Sequence, residues 1–241
     1  MYLEAEMTAT VLTALGVCTL VPYIVYRCKK KLVPGIFLKI ATSMFFILTA
    51  SAAILEKAAH FDEFKYLFIA ILVGLVFGLL GDYWLDMKDL SSEHHDQYMF
   101  AGFSSFYICH LFFNAGLIFT YAGGWSLKEA LIVAVSGVIV AAGVMLAEKI
   151  MKMDYGKYKL ITIGYGFIFG ISLSVSFLCW MMTKNLQPLV MNIGIILFLL
   201  SDVVLSGTYF GGKKRAVDYA LNYIFYYGAQ FTIALSLLAV A

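Results

Sequence analysis

The chain alternates between long apolar stretches and short polar interruptions. Eight apolar stretches occupy roughly residues 8–26, 35–55, 64–85, 98–121, 127–149, 159–182, 188–210 and 218–240. Each comes close to or exceeds the ~20 residues that a helix needs to cross the hydrocarbon core of a bilayer. The interruptions read RCKKK, EKAAHFDE, DMKDLSSEHHDQ, EKIMKMDYGKYK, TKNLQ and GGKKRAVD, and they carry nearly all the charge. Ten-residue runs of alternating polarity, the mark of a membrane β-barrel, are missing from this pattern. It predicts an all-α polytopic membrane protein with eight transmembrane helices, and a single integral membrane domain over 1–241.

Composition sharpens that expectation. Hydrophobic residues make up 62% of the 241 residues and charged residues 13%, and mean hydropathy is +0.88. A soluble domain runs nearer half apolar and a quarter charged, so no water-soluble core could hide this much apolar surface. The net charge of +2 is too small to point to nucleic acid. Cys18, Cys28, Cys109 and Cys179 form no CxxC pair, and buried thiols packing as small hydrophobes fit better than disulfides or metal thiolates. The first stretch does not read as a cleavable signal, since acidic residues precede it and Arg27, Lys29, Lys30 and Lys31 follow it.

Charge asymmetry orients the chain. Loops on one side carry Arg27, Lys29, Lys30, Lys31, Lys88, Lys149, Lys152, Lys157, Lys159, Lys213, Lys214 and Arg215, against Lys57, Lys65, Lys128 and Lys184 on the other. By the positive-inside rule the richer side is cytoplasmic, and both termini are expected to be non-cytoplasmic.

A charge within the bilayer costs at least ~2.5–3.5 kcal/mol on insertion scales and so asks for a reason. Four residues stand out: Lys39 in span 2, Asp82 near the end of span 3, His110 in span 4 and Asp202 in span 7. At ~1.5 Å rise per residue, Lys39 and Asp82 should lie ~5 Å inside the cytoplasmic edge, Asp202 ~12 Å and His110 ~18 Å. Asp86 falls at or just outside the boundary. The four would meet in one cavity opening to the cytoplasmic side. Each also has a plainer reading: Lys39 snorkelling to the interface, Asp82 an interfacial residue, Asp202 half of a structural pair, His110 a satisfied core histidine.

The two acids share a local pattern. Leu79-Leu80-Gly81-Asp82-Tyr83-Trp84-Leu85 and Leu199-Leu200-Ser201-Asp202-Val203-Val204-Leu205 both read LL-small-D-x-x-L, offset by 120 residues. The same offset carries span 1 onto span 5, span 4 onto span 8 and His110 onto Gln230, as a four-plus-four direct repeat would. Glu93-His94-His95-Asp96 has no regular ligand spacing and reads as a solvated loop, so no metal site is assigned. Gly-rich phosphate loops, GxSxG elbows and HExxH helices are absent, and Ser104, Ser105 and Ser201 have no positional support as nucleophiles.

Phe77-Gly78-Leu79-Leu80-Gly81-Asp82-Tyr83-Trp84-Leu85, followed by Gly102-Phe103-Ser104-Ser105-Phe106 and His110, resembles the YhhN family of eight-span membrane proteins. So do Phe198-Leu199-Leu200-Ser201-Asp202 through Leu205 and Phe210, and the final-span run Tyr226-Tyr227-Gly228-Ala229-Gln230. Lys39 matches a lysine of the family. The chain departs at Phe113, where the family often has Tyr, and at Lys39-Ile40, where it usually has Lys-Pro.

The resemblance implies a lysoplasmalogenase, which hydrolyses the vinyl ether of a lysophospholipid to a fatty aldehyde and glycerophosphocholine or glycerophosphoethanolamine. That chemistry needs one protonated acid and one carboxylate, as in glycosidases. Asp202 as proton donor and Asp82 as the ionised partner is one assignment, and the reverse stays open. His110 would orient a carboxylate or relay protons. Tyr226, Tyr227 and Gln230 would hydrogen-bond the glycerol or phosphate, and Lys39 would offset its charge. No cofactor is required. Two other readings fit the buried acids: a metal-dependent intramembrane lipid amidase or esterase using Asp82, His110 and Asp202 as ligands, and a proton-coupled lipid transporter.

Overall fold

The structure, a computed structural model, describes residues 2–212 and 215–240, with side chains from residue 8 onward. Lys213 and Lys214, counted above among the basic loop residues, lie outside the described residues. Eight long helices follow one another: α1 (Tyr2–Cys28), α2 (Leu32–Glu56), α3 (Phe61–Met87), α4 (His95–Tyr121), α5 (Leu127–Ile150), α6 (Lys159–Thr183), α7 (Leu186–Tyr209) and α8 (Ala216–Ser236). Single 3-10 turns lie at Ala58–His60, Gly156–Tyr158 and Leu237–Ala239, and the described residues contain no strand.

Helix ends fall where side-chain chemistry sets them. Ser126 caps α5, its Oγ accepting from the Lys128 N–H at 3.2 Å while Glu129 accepts from the Ser126 N–H at 2.8 Å. Asn185 caps α7 by accepting from the Gln187 N–H at 2.9 Å. Pro34 and Pro188 sit in first turns, where the missing N–H costs nothing.

Polarity is distributed inside out. Phe37, Leu55, Phe119, Leu127, Ile150 and Leu160 are exposed, while Lys39, Ser43, Asp82, Asp86, His110 and Gln230 are buried. That is what hydrocarbon outside the bundle asks for, since polar groups must find partners within the protein. Helices α1 to α7 are long and apolar enough to cross a membrane. The last helix, α8, is more polar, because Asp218, Asn222, Gln230 and four tyrosines occupy it.

Consecutive helices pack as neighbours except α4 and α5, and beyond these pairs α4 lies on α6 and α8 lies on α2. Two close approaches recur at an offset of 120 residues. A Cβ on Gly74 would lie 2.5 Å from the Phe113 ring and 3.1 Å from the Cys109 carbonyl oxygen. A Cβ on Gly194 would lie 2.6 Å from Ile233 and 3.2 Å from the Ala229 carbonyl oxygen. Only glycine lets these backbones approach so closely. Helix α5 is peripheral: Gly137 is its one buried residue.

Candidate functional site

Asp82 is the centre of the buried polar cluster. It lies on α3, 2% exposed, with Lys39 of α2 across from it. The Lys39 ammonium stands 3.3 Å from Asp82 Oδ1 and 3.1 Å from Asp86 Oδ1, and it also donates to the Asp82 carbonyl oxygen at 3.2 Å. Lys39 is therefore committed to an ion pair inside the bundle and does not snorkel. The other carboxylate oxygen, Asp82 Oδ2, accepts from Ser43 Oγ at 2.7 Å and from the Tyr226 hydroxyl at 2.8 Å. Gln230 Nε2 in turn donates to the Tyr226 oxygen at 3.0 Å. The Tyr227 hydroxyl lies 3.2 Å from Ser43 Oγ and 3.3 Å from the Lys39 carbonyl oxygen. The cation on one oxygen and the two hydroxyl donors on the other offset the cost of burying this carboxyl group and fix its direction.

Asp202, on α7, sits in a different setting. Its polar neighbours are Tyr165 and Ser201, and no cation pairs with it among the described residues. Asp202 Oδ2, Ser201 Oγ and the Tyr165 hydroxyl are all buried without a hydrogen-bond partner of good geometry. Asp82 and Asp202 face one small cavity of about 30 Å³, which Lys39, Ser201 and Tyr226 also line, with Phe106 and Phe198 as apolar walls. A space of that size holds about one water or one small reacting group.

His110 departs from the expectation that four residues meet. It does not line this cavity. Its Nδ1 lies 3.2 Å from Ser172 Oγ, its ring packs on Phe169 and Phe198, and its Nε2 has no partner. The rotation of α4 about its own axis turns His110 towards α6, and Phe198 stands between it and the acids. Among the described residues no three His, Cys, Asp or Glu side chains come together as metal ligands, so Asp82, His110 and Asp202 do not converge as a metal set. In the first turn of α4, Asp96 is taken by Lys157 and Tyr158.

A larger cavity of about 420 Å³ opens at the same end of the bundle, lined by Arg27, Lys88, Asp89, Lys157 and several tyrosines. Asp89 pairs with Arg27 and, at 2.8 Å, with Lys88. Burial alone would raise the Asp89 carboxyl, but the two cations outweigh it and hold it below the usual carboxylate range. Arg27 also lies 3.9 Å from Asp86. The charges thus alternate in a continuous line, Asp82–Lys39–Asp86–Arg27–Asp89–Lys88, from the small cavity to the large one.

A model of the YhhN family matches residues 6–237. The chain belongs to the YhhN family. No curated protein and no solved structure matches it. In this YhhN protein two participants, Ser43 and Tyr165, escaped the reading of hydropathy, while Asp86, read as lying at or just outside the boundary, is buried in the bundle beside Lys39. Asp86 is four residues after Asp82 and Ser43 four after Lys39, so each shares a helix face with a residue already singled out. That spacing was the available signal. Tyr165 carried none, because its nearness to Asp202 depends on how α6 packs against α7.

Proposed function

We propose that the protein is a multi-pass membrane lysoplasmalogenase in which Asp202 donates the proton and Asp82 acts as the ionised base. The observation that carries this reading is the pairing of two unlike carboxyl groups on one small cavity. Asp82 has a cation and two hydroxyl donors, which favour its charged form. Asp202 has no cation, and its Oδ2 is buried without a hydrogen-bond partner of good geometry; an unpaired buried charge is costly, so the neutral acid suits that place. Family membership supports the substrate class.

The steps balance. Asp202 protonates the β-carbon of the vinyl ether, giving an oxocarbenium ion and the Asp202 carboxylate. Water attacks the α-carbon and passes a proton to Asp82. The hemiacetal then collapses: Asp82 returns its proton to the departing glycerol oxygen, and the hemiacetal hydroxyl proton restores Asp202. The products are an aldehyde and the glycerophospho-headgroup alcohol. Lys39, Ser43 and Tyr226 hold Asp82, while His110, walled off by Phe198, has a supporting place in the packing of α4 on α6.

The excess of Lys and Arg in the loops at this end of the bundle supports a cytoplasmic location for it, with both termini outside and all eight helices crossing. A direct repeat of α1–α4 in α5–α8 is supported by the matched approaches at Gly74 and Gly194 and by α4 on α6 repeating as α8 on α2. Under that repeat Asp82 and Asp202 are equivalent positions facing a shared centre.

The test is release of aldehyde from lysoplasmenylethanolamine by purified protein in detergent, with and without chelator. Chelator-resistant release is expected. Release that stops on metal removal and returns with zinc would favour the metal-dependent reading, and no release from folded protein would sink the assignment.

A further inference from the structure

The small cavity has room for the reacting bond but not for the rest of a lysophospholipid, so the polar end of the substrate must be held elsewhere. We infer that the 420 Å³ cavity lined by Arg27, Lys88 and Lys157 binds the phosphodiester of the substrate headgroup. This deepens the reading above and rests on it for the reacting bond.

Three features support the assignment. The first is chemistry. Arg27 and Lys88 are largely buried, their side chains 9% and 6% exposed, yet both line the cavity. A guanidinium has five N–H donors. Arg27 directs Nε to the Tyr223 hydroxyl and Nη2 to Asp89, which leaves donor capacity for an anion beside Asp89. Planar, forked donors of this kind match phosphate oxygens. Lys157 supplies a third, more exposed cation, and Asp89 and Asp154 on the same walls can face a choline or ethanolamine cation.

The second feature is connection. Tyr209 lines both cavities, and the Lys88 ammonium lies over its ring at 4.4 Å. One side chain therefore separates the space for the reacting bond from the space for the phosphate.

The third is distance. Arg27 spans Asp86 and Asp89, four and seven residues beyond Asp82, which places it ~6–10 Å along the helix from that carboxylate. In a lysoplasmalogen five bonds separate the vinyl ether oxygen from phosphorus, about 6 Å when extended, given bonds of ~1.5 Å. A phosphate held at Arg27 thus leaves the vinyl ether at the acids.

The experiment titrates glycerophosphoethanolamine, and separately inorganic phosphate, onto the full-length protein in detergent, read by thermal shift. Wild-type protein, Arg27→Gln and Lys157→Gln are compared. The expected result is binding of glycerophosphoethanolamine weakened at least tenfold in Arg27→Gln and several-fold in Lys157→Gln. Lys157 is more than half exposed, so its variant keeps the test decisive if Arg27→Gln does not fold. In parallel, Lys157→Gln should raise KM for lysoplasmenylethanolamine with kcat retained, and should match wild type on a phosphate-free alkenylglycerol.

Equal binding by all three proteins, or inorganic phosphate binding as tightly as glycerophosphoethanolamine, would overturn the headgroup site even with hydrolysis intact. Binding with the expected variant pattern, in a protein that cleaves no vinyl ether, would uphold the site and overturn the activity instead.

Discussion

At the scale of single residues, the asymmetry between the two acids makes separable demands. Asp82→Asn and Asp202→Asn should each lower aldehyde release by roughly a hundred- to ten-thousandfold, the usual contribution of a general acid or base. Two variants with full turnover would end the acid–base scheme. Lys39 has a structural task as well, because it neutralises Asp82 and Asp86 together. Lys39→Met strands both, and breaking a buried pair from one side costs about 3–5 kcal/mol. The unfolding midpoint in detergent should fall accordingly, and adding Asp86→Leu should recover part of the loss. A single variant as stable as wild type would mean that the pair contributes little.

At the scale of helices, stability depends on how closely backbones approach. A Cβ at Gly170 would lie 2.4 Å from the Ser136 carbonyl oxygen and 2.8 Å from the Gly137 Cα, both backbone atoms of α5. Gly170→Ala must therefore push α5 away from α6 and should cost about 1–3 kcal/mol, as overpacking does. Gly143, also on α5, has nothing within 4 Å of its would-be Cβ, so Gly143→Ala should stabilise by up to ~1 kcal/mol through helix propensity. Opposite shifts in thermal midpoint check the pair, and equal shifts would contradict this packing of α5 and α6.

The helices themselves were legible in the sequence, because an apolar run of bilayer length leaves little choice of structure. Their ends were less so. Hydropathy stops near Leu85, but α3 continues to Met87, which brings Asp86 into the bundle. Asp82 and Asp202 were visible as charges in apolar surroundings. The departure of His110 was not, since α4 is apolar on all sides and only packing fixes its rotation.

At the scale of the whole molecule, orientation has a direct check. In a Cys28→Ser background, Lys30→Cys should react with a membrane-impermeant maleimide only after the cytoplasmic side is opened, and Gly123→Cys should react in intact cells. The reverse pattern would invert the topology and place the acids nearer the outer face. The line of alternating charges bears on how such a chain is made. Lys39 belongs to α2 and its carboxylate partners to α3, joined by the short Lys57–His60 connection. Delivered singly to the bilayer during synthesis, α2 would carry a bare cation and α3 two bare anions. Delivered as a hairpin, they enter with most of that charge already cancelled. On the proposed reading, the contact that steadies the acid for chemistry would also bring α2 and α3 into the membrane as one unit.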